Sequence, residues 1–480
     1  MPSTTPMRQI KDLPGPRAWP LVGNALQVNL TSVRLDFERW AREFGPLYRI
    51  KMGRTQMLVI ADNELFAAVL RDRPNGFRRN PRVAEIGTEM GLPQGLGTAE
   101  GDDWQRQRRM VMASFAPGQV RAYFPSLRKV LLRLQGRWQK AAHANQSINL
   151  QADLMRFTVD AIAGLAFGKD INTLESGEDI IQRHLDKVLP AVFRRVVALV
   201  PHWRYVRLPA DRTLEHSVAV INATLLNFVA QARQRLHNDP ALRDKPGNLL
   251  EAMIVAADQP ESALGDQQVV GNVLTMLLAG EDTTANTLAW LIYLLHRNPI
   301  SLVKAKQEVL ALAPVPGSYS MELMEQLVFL EACISETMRL KPVAPLMVLQ
   351  ALRDTAVGDV AVPKETLVMG VMRHDSVSER RFSNPLAFEP QRWLRDAPQP
   401  VGAVAKRAAM PFGSGPRMCP GRYLALLEMK LAMAMLLARF DIEAVHTPDG
   451  GEAQERMAVT MNPVGLSMRL RQRRTHGQGR

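Results

Sequence analysis

The longest apolar stretch of the chain runs from Val269 to Leu295, and as a helix it would span about 40 Å. About 20 apolar residues suffice to cross a bilayer. A helix apolar nearly all round otherwise belongs in the middle of a large protein. The centre of the stretch decides between the two, because it reads Ala279-Gly280-Glu281-Asp282-Thr283-Thr284. Each acid there would cost about 2.5–3.5 kcal/mol in lipid. The expectation is a buried central helix in a large, mostly helical fold.

A second stretch carries the chemistry: Phe412-Gly413-Ser414-Gly415-Pro416-Arg417-Met418-Cys419-Pro420-Gly421. Its glycines and prolines forbid regular structure until Cys419 has passed, and an apolar, helix-forming run follows from Tyr423 to Ala432. A cysteine held by a rigid loop at a helix N-terminus sits where free N–H groups and the helix dipole favour a thiolate. A thiolate is a metal ligand or a nucleophile. A lone cysteine is more often a small buried hydrophobe, but three glycines and an arginine crowd this one.

Composition narrows the setting. Only two cysteines occur in 480 residues, so no disulfide framework exists, which suits a reducing, cytoplasmic location. Cys333 falls inside a helical pattern and is expected to pack in the core. The segment from Met1 to Trp19 is polar and punctuated by proline, with no apolar run for a signal peptide or a transmembrane anchor. Lys and Arg outnumber Asp and Glu by 60 to 47, a net charge of +13, which favours an acidic partner. Arg469, Arg471, Arg473, Arg474 and Arg480 are expected to form a solvated, frayed basic tail over 471–480, and no nucleic-acid motif is present.

Along the chain, helices are expected over Val33 to Phe44 and Asn63 to Arg71, with a hairpin of Leu47–Met52 and Gln56–Ile60 between them. Residues 73–98, rich in Gly, Pro and Arg, are expected to be mostly irregular. From Asp102 to Val229 the pattern is helical, with breaks at Pro117, Gly168 and Pro201, and a polar break follows over 239–247. Helices continue through Met321 to Arg339. Short strands are expected at Val357–Val362 and Thr366–Val371, and a terminal hairpin around Met457 to Leu470.

Two further pairs complete the pattern. Glu336 and Arg339 lie at i,i+3 on one helix face, and Trp104 and Arg108 at i,i+4 on another. The order of these features, with Phe388-Glu389-Pro390-Gln391-Arg392-Trp393 between the third and the cysteine, resembles the cytochrome P450 superfamily of haem-thiolate enzymes over nearly the whole chain. The resemblance implies the cytochrome P450 fold: mainly α with a minor β part, a long central helix over haem, and a small sheet region on the N-terminal side. It implies a single catalytic domain over 1–480, with 1–19 as an opening segment.

It also implies residue roles. Cys419 would be the proximal thiolate ligand of haem b iron, donating electron density that favours O–O cleavage, with Phe412 packed near it. Trp104, Arg108 and Arg417 would hold the haem propionates. Glu336, Arg339 and Arg392 would form a structural salt-bridge network behind the haem. Ala279 and Gly280 would let the central helix pass close over the haem, with room for dioxygen. Asp282 and Thr283 would relay protons to it. Two positions depart from the family pattern. Gln350 stands where many relatives carry a propionate arginine, with Arg353 three residues on, and Arg373-His374-Asp375-Ser376 replaces the common His-Arg-Asp-Pro.

The implied activity is insertion of one oxygen atom from O2 into a C–H or C=C bond of a lipophilic small molecule. Electrons would come from a separate, acidic redox partner of the ferredoxin or flavodoxin type, docking at Arg106, Arg109, Lys406, Arg407 and Arg422 on a monomeric protein. The pocket would be lined by segments including Val343 to Val348 and Met461 to Val464, with Arg194, Arg195, Arg204 and Arg207 turned to solvent. A peroxide-driven peroxygenase and a non-catalytic haem sensor or carrier are the alternatives. The acid–alcohol pair argues against both.

Overall fold

The computed structural model describes residues 7–473 apart from 169, 177–179, 199, 398–401, 403–405 and 408. Its organising element is the helix Asp266–Arg297, 32 residues and about 48 Å long. Asp266 in its first turn, and His296 and Arg297 in its last, complement the helix dipole. Gln268 Oε1 accepts from the Gly265 N–H at 3.0 Å and closes the N-terminus, and Pro299 follows the C-terminus. Most of its residues are buried, as the apolar pattern requires.

Two large apolar clusters flank this helix. One holds Trp138, Phe157, Trp290, Tyr319, Leu431 and Leu436. The other holds Trp104, Phe167, Val218, Leu225, Met253 and Val273. Phe115 and Met276 pack against both, so the core is continuous. The helix Leu150–Phe167 lies closest along the central helix. A Cβ on Gly280 would come within 2.4 Å of Ile162 Cδ1, and the Thr158 hydroxyl donates to the Glu281 carbonyl at 3.0 Å. Cys333 is fully buried in the first cluster, where burial pushes its thiol up.

The β part is small. A five-stranded sheet runs in the order Leu47–Met52, Thr55–Ile60, Leu367–Val371, Leu346–Ala351, Phe77–Arg79. Only the pair Thr55–Ile60 and Leu367–Val371 is parallel. A three-stranded sheet joins Arg8–Gln9 to Val360–Val362 and Thr355–Val357. Among the described residues no helix is long and apolar enough to cross a membrane.

Three expectations are corrected and one is refined. Residues 73–98 are irregular at most of their positions, as expected, but not throughout. They contain the strand Phe77–Arg79 and the helix Pro81–Glu89, whose start is set by Pro81 and by the Asn80 side chain accepting from Arg82 N–H. That strand exists through pairing with Leu346–Ala351, some 270 residues away, which local pattern does not reveal. The terminal hairpin is Glu455–Met457 with Met461–Pro463, while Ser467–Gln472 pairs instead with Phe440–His446. Arg469 and Arg471 therefore lie in a strand, and Arg471 pairs with Asp441 at 3.4 Å rather than fraying. Arg474 and Arg480 lie outside the described residues. Finally, Arg195 is buried, pairing with Asp211 at 2.6 Å and stacking on Trp203.

Candidate active site

The cysteine loop is shaped by its glycines. Gly415 has φ +72°, and a Cβ there would sit 2.6 Å from the Leu70 carbonyl oxygen. The loop therefore presses on the end of the helix Asn63–Arg71, an approach only glycine permits. The Cys419 N–H donates to the Phe412 carbonyl at 3.0 Å, closing the loop on itself. Beyond it the helix Arg422–Arg439 carries the apolar run into the core. Protein packs around Cys419, yet the residue keeps accessible surface, as a side chain lining an internal space does. Burial pushes its thiol up, and the Gly421 N–H and the charge of Arg108 pull it down. The helix N-terminus alone does not make this thiol a thiolate. A cation at the sulfur would complete the balance.

Arg108 and Trp104 leave the helix Gly101–Ser114 on the side of this loop. Arg108 Nη2 donates to the Met418 carbonyl at 2.8 Å, one residue before the cysteine. Arg417 stacks on Trp104 with 4.6 Å between guanidinium and ring centre. It also donates to Ala99 O at 2.8 Å and pairs with Glu100 at 2.5 Å. Phe412 is half-buried under Arg422, whose guanidinium lies 5.8 Å from the ring.

Two arginines that residue patterns did not single out join this group. Arg73 is 4% exposed, and Arg79, which keeps accessible surface, lies beside a cavity of about 100 Å³ bounded also by Thr98 and Glu100. Burial, helped by the like charges of Arg79 and Arg417, lowers Arg73 to about 9. Arg417 is likewise lowered to about 10. Among the described residues, Glu100 is the one opposite charge acting on all three. Arg73 Nε and Nη2, and Arg417 Nε and Nη1, are buried with no acceptor. So much cationic charge with orphaned donors requires an anion of more than one unit. The two carboxylates on the edge of haem meet that requirement, so the residues present fit the group. The signal in the sequence is the arginine-rich run from Arg73 to Arg82, whose pattern marks no single arginine.

Gln350 and Arg353 do not fill the gap left by the missing family arginine. Gln350 accepts from Arg78 Nε across the strand pair at 2.9 Å, and Arg353 grips Asp72 at 2.8 and 2.9 Å on the surface. Arg373 is turned elsewhere, to the Leu340 carbonyl at 2.6 Å and Glu38 at 2.9 Å.

Glu336, Arg339 and Arg392 come together in full burial. Arg339 Nε and Nη2 each donate to Glu336 at 2.8 Å, and Arg392 Nε does so at 3.2 Å. Trp393 Nε1 and the Glu389 N–H complete the carboxylate's partners, at 2.8 and 3.0 Å. The Phe382 ring lies 4.7 Å from the Arg339 guanidinium. Trp393 and Phe382 were not legible as members of this network beforehand.

On the central helix Ala279 is exposed between buried turns. Gly280 is turned against Ile162, where its small size lets the two helices approach. Thr283 Oγ1 donates to the Ala279 carbonyl at 2.7 Å, which leaves its lone pairs as acceptors. Asp282 is held away from Thr283. Its Oδ1 accepts from Asn286 Nδ2 at 2.7 Å, and its Oδ2 accepts from the Thr460 hydroxyl. Burial raises this carboxyl, against the pull of those two hydrogen bonds.

Comparison with known proteins shows the family and the fold. The family profile described as Cytochrome P450 matches residues 13–470. "Cytochrome P450 734A6" of Oryza sativa subsp. japonica is 30% identical over 87% of this chain and 79% of that protein. The mitochondrial "25-hydroxyvitamin D-1 alpha hydroxylase" of Homo sapiens is 28% identical over 94% and 89%. The chloroplastic "Carotene epsilon-monooxygenase" of Arabidopsis thaliana is 26% identical over 92% and 82%. The crystal structure of the cytochrome P450DA heme domain superposes with a TM-score of 0.84 at 24% identity, covering 98% of this chain and 99% of that one.

Proposed function

The chain belongs to the cytochrome P450 family, and from that premise we propose that this haem-thiolate monooxygenase acts on a lipophilic small molecule with electrons from a separate redox protein. Bound haem supplies dioxygen activation and oxygen-atom transfer. In this reading Cys419 would ligate the haem iron as a thiolate, its charge supported by the Gly421 N–H and Arg108. Arg73, Arg79 and Arg417 would hold the two propionates, with Trp104 fixing the plane of Arg417. The observation that carries the proposal is the set of buried arginine donors without acceptors beside a cysteine loop pinned at Gly415.

Ala279 gives the dioxygen side its room, and Thr283 offers acceptor lone pairs there while its own proton is spent on Ala279. Asp282 supplies protons from a buried position where its carboxyl is raised toward neutrality, as a proton donor requires. Thr283→Ala is therefore expected to keep the spectrum of the reduced CO complex while diverting electrons to peroxide. Unchanged coupling of electron use to product would refute that role.

The fold forms a single catalytic domain in this reading, and the protein acts as a cytoplasmic monomer, consistent with its two cysteines. Arg109, Lys406, Arg407 and Arg422 are exposed and offer an acidic ferredoxin or flavodoxin a basic face, while Arg106 is half-buried beside Asp103. Two of the named relatives are, by name, a carotene monooxygenase and a 25-hydroxyvitamin D hydroxylase, which supports a lipophilic substrate here.

A further inference from the structure

The two partners of Asp282 are chemically unequal. The Asn286 amide nitrogen can only donate, so Oδ1 is held as an acceptor. Asn286 is itself oriented by Gln151, whose Nε2 donates to its carbonyl at 3.2 Å. The Thr460 hydroxyl on Oδ2 can donate or accept. A proton that reaches this carboxyl from solvent therefore settles on Oδ2, and the hydroxyl turns from donor to acceptor to receive it. Thr460 ends unchanged, and Asp282 gains and later passes on one proton.

Thr460 does not belong to the central helix. It sits buried at the tip of the hairpin Glu455–Met457 and Met461–Pro463, whose N–H at Met461 donates to the Val343 carbonyl at 2.8 Å. The base of the hairpin is anchored by charge. Glu455 pairs with buried Arg34 and, at 3.4 Å, with Lys341, and Arg34 and Arg373 share Glu38. A further tie runs from the Ala453 N–H to the Tyr293 hydroxyl at 3.0 Å, back on the central helix. The hairpin is thus fixed at its base and reaches the acid with its tip.

We propose that Thr460 is a positioning residue for proton delivery, its hydroxyl holding the Asp282 carboxyl by Oδ2 so that the terminal hairpin governs when this acid turns toward Thr283. The inference rests on the reading of Asp282 as the acid.

The test compares holo-protein carrying Thr460→Val, Thr460→Ser and Asp282→Asn, each first shown to give the wild-type spectrum of the reduced CO complex. One readout is the Asp282 carboxyl band in the infrared, assigned by its loss in Asp282→Asn. The other is reoxidation of the reduced protein on mixing with dioxygen, in H2O and in D2O. Thr460→Val is expected to shift the band, to change the reoxidation rate by about tenfold, as befits one charge-assisted hydrogen bond, and to alter the solvent isotope effect. Thr460→Ser should restore all three. If Asp282→Asn changes the isotope effect while Thr460→Val leaves band and kinetics at wild-type values, the role of Thr460 is overturned and the acid stands. If Asp282→Asn leaves the isotope effect unchanged, the reading of the acid falls and the inference with it.

Discussion

Arg339→Lys keeps the charge of the buried network and removes its geometry. Arg339 spends its donors on five contacts: Glu336 Oε1 and Oε2 at 2.8 Å each, and the carbonyls of Ser376, Pro385 and Ala387 at 2.9, 2.6 and 3.1 Å. A lysine offers three donors from one point. Two of the five contacts are then lost. With the lysine held on Glu336, which keeps Arg392, Trp393 and the Glu389 N–H as well, two of the three carbonyls are left without a donor, at about 1–3 kcal/mol each, so the substitution costs about 2–6 kcal/mol. Set against a typical domain stability of about 5–15 kcal/mol, that lowers the denaturant midpoint markedly and releases haem. Arg339→Ala adds the cost of a buried carboxylate short of a cation, about 3–5 kcal/mol. The assay is urea unfolding of purified holo-protein together with haem content per chain. A wild-type midpoint and full haem content in Arg339→Lys would refute the reasoning, because they would mean that the fork geometry contributes nothing.

The arginine cradle makes a prediction with opposite signs in two states. Arg73→Gln removes repulsion among Arg73, Arg79 and Arg417, so the haem-free protein should gain stability while haem transfer to an acceptor globin speeds up by about tenfold or more. Equal retention in the variant would remove Arg73 from the cradle. A second test concerns Glu428, fully buried on the helix Arg422–Arg439, with its Oε1 lacking a partner and its carboxyl pushed up to about 8. Between the ordinary value of 4.5 and about 8 the folded state holds a proton that the unfolded state has lost, so stability falls as pH rises through that window. Glu428→Gln should flatten this slope, its stability relative to wild type rising with pH; parallel pH profiles would contradict it.

Local signals were legible and cross-chain ones were not. The helices Val33–Phe44 and Asn63–Arg71 fall where the apolar period placed them, the second because Asp62 caps it through Glu64 and Leu65. The central helix was legible because nothing else accommodates so long an apolar run. In contrast, Phe77–Arg79 is a strand only because Leu346–Ala351 lies beside it. At the site, motif spacing pointed to Cys419, Arg417 and the Glu336–Arg339 pair. It could not distinguish Arg73, buried without an acceptor, from Arg353, paired with Asp72 at the surface, since both are single arginines near turns. Nor could it foresee that Thr460, 178 residues from Asp282, would share its hydrogen bond. Gly280 shows the same limit, since the Ile162 side chain packed against it shows which way it is turned.

The central claim is that Cys419, and not Cys333, is the axial ligand. The difference spectrum of the reduced protein with CO tests it directly in wild type, Cys419→His and Cys333→Ser. The account predicts a thiolate-type Soret band for wild type and Cys333→Ser, and its replacement by an imidazole-type band in Cys419→His. A wild-type protein with an imidazole-like band or no haem, or a thiolate band that survives Cys419→His, would contradict it.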